Sequence, residues 1–201
     1  TQDGPVVTGT QPASLDRLVA GTEGAQPWRR IFHAVNGIVL ALGVTFLPIS
    51  RTTVVAALAV ALTLLAGLDL VRLTLPQVNE AFFRLFRPLA SPREARGPAS
   101  STWYVLGTLL ALALFPRDLA VAGVLVLALA DPVASYGGRR WGRRPFLGGT
   151  VEGTALFFLT ASLILIPRVP PAVAILTAAA IAIVERISWP MDDNLTIPAA
   201  T

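Results

Sequence analysis

The sequence predicts an all-α membrane protein, a polytopic helical bundle of about six transmembrane helices with both termini in the cytoplasm. Of its 201 residues, 54% are hydrophobic and 14% are charged, whereas a soluble domain has about 25% charged residues. Mean hydropathy is +0.65. The apolar runs are rich in alanine and leucine, and they lack the alternation of a half-buried strand. Arginines gather at alternate ends of these runs, which gives the predicted orientation.

The first element is a polar segment. Residues 1–27 are rich in glycine, threonine, glutamine and proline and lack the apolar core of a signal peptide. We expect a flexible N-terminal tail there, with one short helix at about 14–19. Residues 28–201 form the predicted transmembrane domain.

Six apolar segments follow, and proline-containing breaks separate most of them. A spanning helix needs about 20 apolar residues, which the first two segments supply. The third and the last two are short, so they need flanking residues or a thin bilayer. The segments are 31–49, 53–75, 102–115, 119–135, 151–166 and 172–187.

The basic residues set the orientation and exclude several functions. All 16 are arginine, and 13 of them fall on one predicted side. The opposite loops hold only Arg51, Arg117 and Arg168, which is the positive-inside pattern. Without lysine or cysteine, the chain has no P-loop lysine, Schiff-base lysine, disulfide or cysteine-ligated metal. A net charge of +4 with arginines at segment ends argues against nucleic acid as a partner.

Other polar residues also collect on the predicted cytoplasmic side. Ionisable groups at or in a membrane are costly, and they are therefore functional candidates. Two have simpler interpretations: Asp69 and Arg72 could form a neutralised pair at a helix end, and His33 could bond a backbone carbonyl. The main candidates are His33, Asn36, Asp69, Asp131, Glu152, Asp192 and Asp193.

Residues 130–153 have the composition of a phosphate site, with six glycines and four arginines. Glycines let backbone N–H groups approach phosphate oxygens, and arginine forks match those oxygens. Asp131 and Glu152 could hold Mg²⁺, and a helix beginning near Thr150 would point its N-terminus at an anion. The stretch predicts a phosphorylated, metal-bound ligand at the cytoplasmic surface, with a simple flexible turn as the alternative.

The same stretch resembles a known signature. Asp131, Ala134, Gly138 and Gly142 form D-x-x-A-x-x-x-G-x-x-x-G, and GTVEG follows at 149–153. This is similar to the nucleotide-binding signature of the CTP-dependent lipid kinases (dolichol kinase, phytol kinase and CTP-dependent diacylglycerol kinase), which are related to phosphatidate cytidylyltransferases. Further matches are RRIFH, LDLVRL, LPQVNEAFFRLF, STWYVLG and DDNLTIP.

The sequence departs from that family at two places. Many members have lysine before the Ser/Thr of K-[ST]-x-E-G, where this chain has Gly149. We expect an arginine to take over that phosphate contact, with Arg143 or Arg144 nearest. Members also usually continue past DDNLTIP into another transmembrane helix, whereas this sequence stops at Thr201.

The resemblance implies transfer of the γ-phosphoryl group of CTP to a membrane lipid alcohol, and makes 28–201 the catalytic domain. Asp131 and Glu152 would be catalytic, and Asp69 or His33 would accept the hydroxyl proton. Mg²⁺ or Mn²⁺ would be held by Asp131, Glu152, Asp192 and Asp193. The expected nucleotide-binding residues are Arg29, Arg30, Asn36, Ala134, Gly138, Arg139, Arg140, Gly142, Arg143, Arg144, Gly148, Gly149 and Thr150.

Two other functions remain open from sequence. A cytidylyltransferase would release pyrophosphate and a CDP-lipid rather than CDP and a phosphorylated lipid. A lipid-binding scaffold or small transporter is the non-enzymatic alternative, although a transporter favours polar groups near the midplane and repeated halves. The partners expected are the bilayer, a lipid alcohol (polyprenol, phytol-type or diacylglycerol) and a nucleoside triphosphate, with a homodimer left open.

Overall fold

The structure is a computed structural model that describes residues 14–22, 24, 27–187 and 193–201. In these ranges the chain forms α-helices, one short 3₁₀ helix (Pro92–Ala95), one π-helical segment (Val126–Ala130) and one two-stranded hairpin. The helices are α1 (Ser14–Ala20), α2 (Pro27–Phe46), α3 (Arg51–Thr74), α4 (Pro76–Leu85), α5 (Ser100–Leu114), α6 (Arg117–Leu125), α7 (Asp131–Trp141), α8 (Val151–Leu165), α9 (Pro171–Val184) and α10 (Asp193–Ala200).

The all-α prediction is confirmed, and each of the six apolar segments coincides largely with a helix. The short helix predicted near 14–19 is α1. Two helices are long and apolar enough to cross a membrane, α3 and the continuous helix Arg117–Trp141 that α6, the π segment and α7 form together. Helices α5, α8 and α9 are apolar but shorter. The six-span count and the orientation of the termini stay predictions.

Helix α3 has almost no protein cover along its apolar length. Only 6% of its most apolar 18-residue window is buried inside the protein. Val60, Leu64 and Leu70 expose 62%, 69% and 67% of their surface. An apolar helix with such exposure fits a lipid environment, because water would disfavour so large a bare apolar surface.

Small residues bring the remaining helices close together. Helix α7 packs on α8, and α8 packs on α9, with Ala134, Ala161 and Ala178 buried in this core. A Cβ on Gly137 would collide with Leu156 of α8. Glycine and alanine at such contacts allow close backbone approach, which drives helix association in membranes.

The glycine-rich stretch is not a long loop. We predict a loop from residue 137, but the structure continues α7 to Trp141. The next turn is a hairpin in which Pro145–Phe146 pairs antiparallel with Gly149–Thr150. Its central residues, Leu147 and Gly148, have φ of 41° and 76°. Positive φ at both central positions is typical of the tight type I′ turn, whose twist matches the strands it joins.

Helix α10 inserts into the bundle beside α5 and α6. Ile197 and Pro198 are fully buried. The backbone of α10 lies against Gly107 of α5 and Gly123 of α6, where a Cβ would crowd it. This packing holds the start of α10, Asp193 and Asn194, close to the rest of the polar residues.

Candidate active site

A polar cavity of about 140 Å³ lies where α2, α7 and α10 meet. It contains most of the charged residues that the sequence singles out on these three helices. Arg29 and Arg30 are half-buried, as are His33 and Asp131. The residues that line the cavity are Arg29, Arg30, His33, Leu127, Asp131, Pro132, Asp193 and Asn194.

Local sequence explains how Asp131 reaches this cavity. Pro132 follows it, and proline inside a helix lacks an N–H and clashes with the carbonyl four residues earlier. The helix widens into π geometry over Val126–Ala130, directly before Asp131. A π segment accommodates such a break and is frequent at functional sites. Gly37 of α2 packs against Ala128 within this segment, so α2 and its arginines sit close to Asp131.

The cavity concentrates positive charge around carboxylates. The pKa of Arg30 is lowered chiefly by burial and then by the nearby charge of Arg139, while Asp131 opposes the shift. Arg139 therefore lies within electrostatic reach of the cavity, although it does not line it. Arginine side chains that lie close together repel one another. A multiply charged anion bound between them would offset this repulsion and accept their hydrogen bonds.

Arg186 lies near the cavity, although it is not among the site residues that the sequence predicts. Its guanidinium is within electrostatic reach of Asp131 and Asp193. It forms an ion pair with Glu185 and lies against Gly149, where any Cβ would collide with it. In the sequence, Arg186 is one of the 13 arginines on the predicted cytoplasmic side. The structure thus places Arg186, rather than Arg143 or Arg144, in the space beside Gly149.

Glu152 does not line the cavity with Asp131. Its Oε2 accepts hydrogen bonds from the backbone N–H groups of Arg143 (3.1 Å) and Arg144 (3.4 Å). The predicted start of α8 is confirmed, because the Thr150 side chain caps the helix by accepting from Gly153 N at 3.1 Å. Glu152 and Thr150 therefore fix the path of the hairpin into α8.

The predicted four-carboxylate metal site is only partly assembled. Asp131 and Asp193 line one cavity, whereas Glu152 bonds the hairpin backbone and Asp192 lies outside the described residues. In the ranges that the structure describes, no three histidine, aspartate or glutamate side chains are grouped as a metal site. Two carboxylates, however, are enough for Mg²⁺ when phosphate oxygens complete its shell.

Several other predicted nucleotide-binding residues do not line the cavity either. Asn36 donates to the Phe32 carbonyl at 2.7 Å in its own helix. Gly138 and Gly142 lie against Thr150, so their missing side chains serve α7–hairpin packing. A role in nucleotide binding stays a prediction for Asn36, Ala134, Gly138, Arg139, Arg140, Gly142, Arg143, Arg144, Gly148, Gly149 and Thr150.

Asp69 lies apart from the polar cavity, and its role as a catalytic base stays a prediction. Its Oδ1 accepts from Arg72 Nε at 2.7 Å. Its Oδ2 accepts from Ala99 N at 3.0 Å and from Thr102 Oγ1 at 2.6 Å. The residue is 6% exposed and does not line the cavity of Asp131. A carboxylate with both oxygens bonded in the interior favours a structural role, which is the simpler interpretation of the Asp69–Arg72 spacing.

His33 remains the proton-acceptor candidate because of its position. It lines the polar cavity and also a second, largely apolar cavity of about 200 Å³. Its ring packs edge-on against Tyr104, with 5.4 Å between centroids. The imidazole is thus held where two different cavities meet.

Sequence comparison identifies relatives of this chain. It is 27% identical over 154 residues to the CTP-dependent diacylglycerol kinase 1 of Schizosaccharomyces pombe, a match that covers 66% of this chain and 71% of the relative. The protein of the same name from Saccharomyces cerevisiae is 28% identical over 114 residues. The chain is related to the CTP-dependent lipid kinases. The resemblance predicted from the signature at Asp131 is therefore confirmed.

The coverage differs among the relatives. The match to the S. cerevisiae protein covers 57% of this chain but only 39% of that longer protein. An uncharacterised protein of Methanocaldococcus jannaschii is 36% identical over 110 residues, which is 53% of this chain and 57% of the relative. No family model and no solved structure matches.

Proposed function

We propose that this protein transfers the γ-phosphoryl group of CTP to the hydroxyl of a membrane lipid alcohol. The observation that supports this most is the polar cavity, in which Arg29, Arg30, Asp131 and Asp193 converge beside exposed apolar helices. Diacylglycerol is the alcohol named for the relatives from both yeasts. It is therefore our first candidate substrate, ahead of polyprenols and phytol-type alcohols.

The donor set suits a magnesium–nucleotide complex. Mg²⁺ usually binds one or two carboxylates together with the phosphates of the substrate, and Asp131 and Asp193 supply two from different helices. When bound, the ion would neutralise charge on the transferring phosphoryl group. Manganese would fit the same oxygen ligands.

The arginines and His33 would position the two reactants. Phosphoryl transfer depends mainly on alignment and charge stabilisation, with little covalent chemistry from the protein. Arg29 and Arg30 would hold phosphate oxygens through paired N–H groups, and Arg186 would add a third guanidinium over Gly149. His33, between the two cavities, would accept the proton of the lipid hydroxyl.

The Asp131→Asn variant tests this proposal. Asparagine keeps the size and one acceptor but removes the charge that balances a metal–triphosphate. Losing such stabilisation lowers rates by about 10²–10³. We expect CTP-dependent phosphorylation of diacylglycerol in detergent to fall by that factor, and to require Mg²⁺ or Mn²⁺.

Asp118→Asn is the matched control, because Asp118 is exposed at the other end of the same continuous helix. We expect its activity to be near that of the parent protein. Full activity of Asp131→Asn, or full turnover in excess EDTA, would overturn the assigned site. With phosphatidate in place of diacylglycerol, release of pyrophosphate and formation of a CDP-lipid would instead identify a cytidylyltransferase.

A further inference from the structure

The second cavity has a polar end and an apolar body. Its body is formed by side chains of α3, α4 and the segment after α4, including Leu65, Leu68, Phe82 and Leu89. Its polar end is formed by Glu94 and Ser101, which the Glu94–Ser100 hydrogen bond brings together, and His33 also lines the cavity. A cavity divided in this way matches an amphiphile, whose hydroxyl and hydrocarbon need different surroundings.

The polar end is rigidly built. Glu94 is 4% exposed, and its Oε1 accepts from Ser100 Oγ at 2.7 Å and from Ser100 N at 3.3 Å. Burial raises the pKa of the Glu94 carboxyl. The backbone N–H of Ala99, the residue before Ser100, donates to buried Asp69 at 3.0 Å. These bonds hold the wall in place without a ligand.

The apolar body borders residues that face away from the protein interior. Phe32, Leu68 and Phe86 line the cavity and expose 48%, 49% and 40% of their surface. Leu68 belongs to α3, whose apolar length is otherwise bare. A hydrocarbon chain could therefore continue from the cavity along this face while remaining among apolar groups.

We propose that this second cavity binds the hydroxyl-bearing end of the lipid alcohol, with its hydrocarbon directed along α3. The inference rests on the proposed function for the reaction that follows binding. His33 lines this cavity and the polar one, so a hydroxyl beside its ring lies next to the residues that would hold the triphosphate.

Leu65→Trp tests the cavity by filling it, and Leu70→Trp is the matched control. Both leucines belong to α3, but Leu65 lines the cavity, whereas Leu70 is 67% exposed and lies on the opposite side of the helix from Leu68. With diacylglycerol in mixed micelles, we expect Leu65→Trp to raise the KM for the lipid at least tenfold and leave the KM for CTP unchanged. Leu70→Trp should change neither. Equal lipid KM values for Leu65→Trp and the parent would overturn the proposal.

A binding measurement separates this proposal from the kinase reaction. A diacylglycerol with a diazirine near its glycerol end, irradiated with the parent protein without nucleotide, should label the α3 peptide around Leu65 and the segment around Ser101. Leu65→Trp should reduce that labelling at least fivefold, and Leu70→Trp should not. If labelling follows this pattern but no phosphorylation is found, the proposed reaction fails and the lipid site remains. If phosphorylation occurs but labelling falls elsewhere, the lipid site fails alone.

Discussion

Arg186 can lie where it does only because residue 149 is a glycine. The guanidinium occupies the volume that a Cβ at this position would need. It is within the electrostatic influence of Asp131 and Asp193. The family resemblance leads us to expect lysine at 149, so Arg186, in the turn after α9, would supply positive charge in nearly the same place.

We therefore expect Arg186→Gln to lower kcat/KM for CTP by about 10- to 100-fold. A charge-assisted hydrogen bond contributes about 1.5–3 kcal/mol, which corresponds to that range. Adding Gly149→Lys should restore part of the loss, because the volume vacated by the guanidinium then admits a lysine. The measurement is steady-state kinetics with CTP as the varied substrate.

Arg143→Gln provides the comparison, because its exposed side chain is the alternative that sequence proximity suggests. A larger loss for Arg143→Gln than for Arg186→Gln would contradict the role given to Arg186. If Gly149→Lys restored no activity to the Arg186→Gln protein, the idea that the two side chains place their charge at the same point would be contradicted.

Residues near a recognisable motif were the easiest to predict from sequence. Arg29, Arg30, His33, Asp131 and Asp193 do line one cavity. Asn194 and Arg186 were missed, because nothing in their spacing shows that α10 packs against α5 or that Arg186 reaches Gly149. The ion pair of Asp69 with Arg72 could not be told from a catalytic acid by sequence, because both interpretations share the same i, i+3 spacing.

Among the elements, α3, α4 and the segment before α5 are joined by one buried arginine. Arg72 is 1% exposed and bonds Asp69, the Asn79 side chain at 3.0 Å, and the carbonyls of Glu94 (2.6 Å) and Gly97 (2.7 Å). Its Cζ lies 4.5 Å from the centroid of the Phe82 ring. Four of the five N–H groups of the guanidinium thus donate, and three of these bonds join α3 to other elements.

Arg72→Met should destabilise the protein by about 3–5 kcal/mol. The substitution leaves Asp69 buried without its cation, and removing one partner of a buried pair costs about that much. The double variant Asp69→Asn with Arg72→Met should recover part of the loss. Thermal unfolding in detergent measures both.

Arg84→Met, on the exposed side of α4, is the control for loss of an arginine and should change stability by less than about 0.5 kcal/mol. An Arg72→Met protein as stable as Arg84→Met would show that the bonds around Arg72 do not hold these elements together.

For the whole molecule, the arginine distribution predicts how the protein sits in the membrane. With 13 of 16 arginines on the proposed inner side, a reporter fused after Thr201 should lie in the cytoplasm. One inserted at Arg168, in the exposed turn between α8 and α9, should lie outside. The active site would then face the cytoplasm. The reverse pattern of reporter activity would refute this orientation.

The helices were predictable because apolar composition and proline breaks act locally. All six apolar segments are helical, and α8 begins where the Thr150 cap predicts. The helical ending of α7, the π segment and the tight hairpin were not predicted, because they depend on how α7 packs against α8 and α2. Glycines that a sequence marks as flexible are here fixed by their neighbours.

The late position of α10 in the chain has a consequence for biogenesis. Ribosomes deliver the N-terminal parts of a protein first, so Arg29 and His33 enter the membrane long before Asp193 and Asn194. Until α10 docks against Gly107 and Gly123, the polar cavity lacks one of its walls. A nascent chain would therefore be catalytically inactive during membrane insertion, even where lipid and nucleotide are abundant. Catalytic competence would begin only when the whole described bundle has assembled.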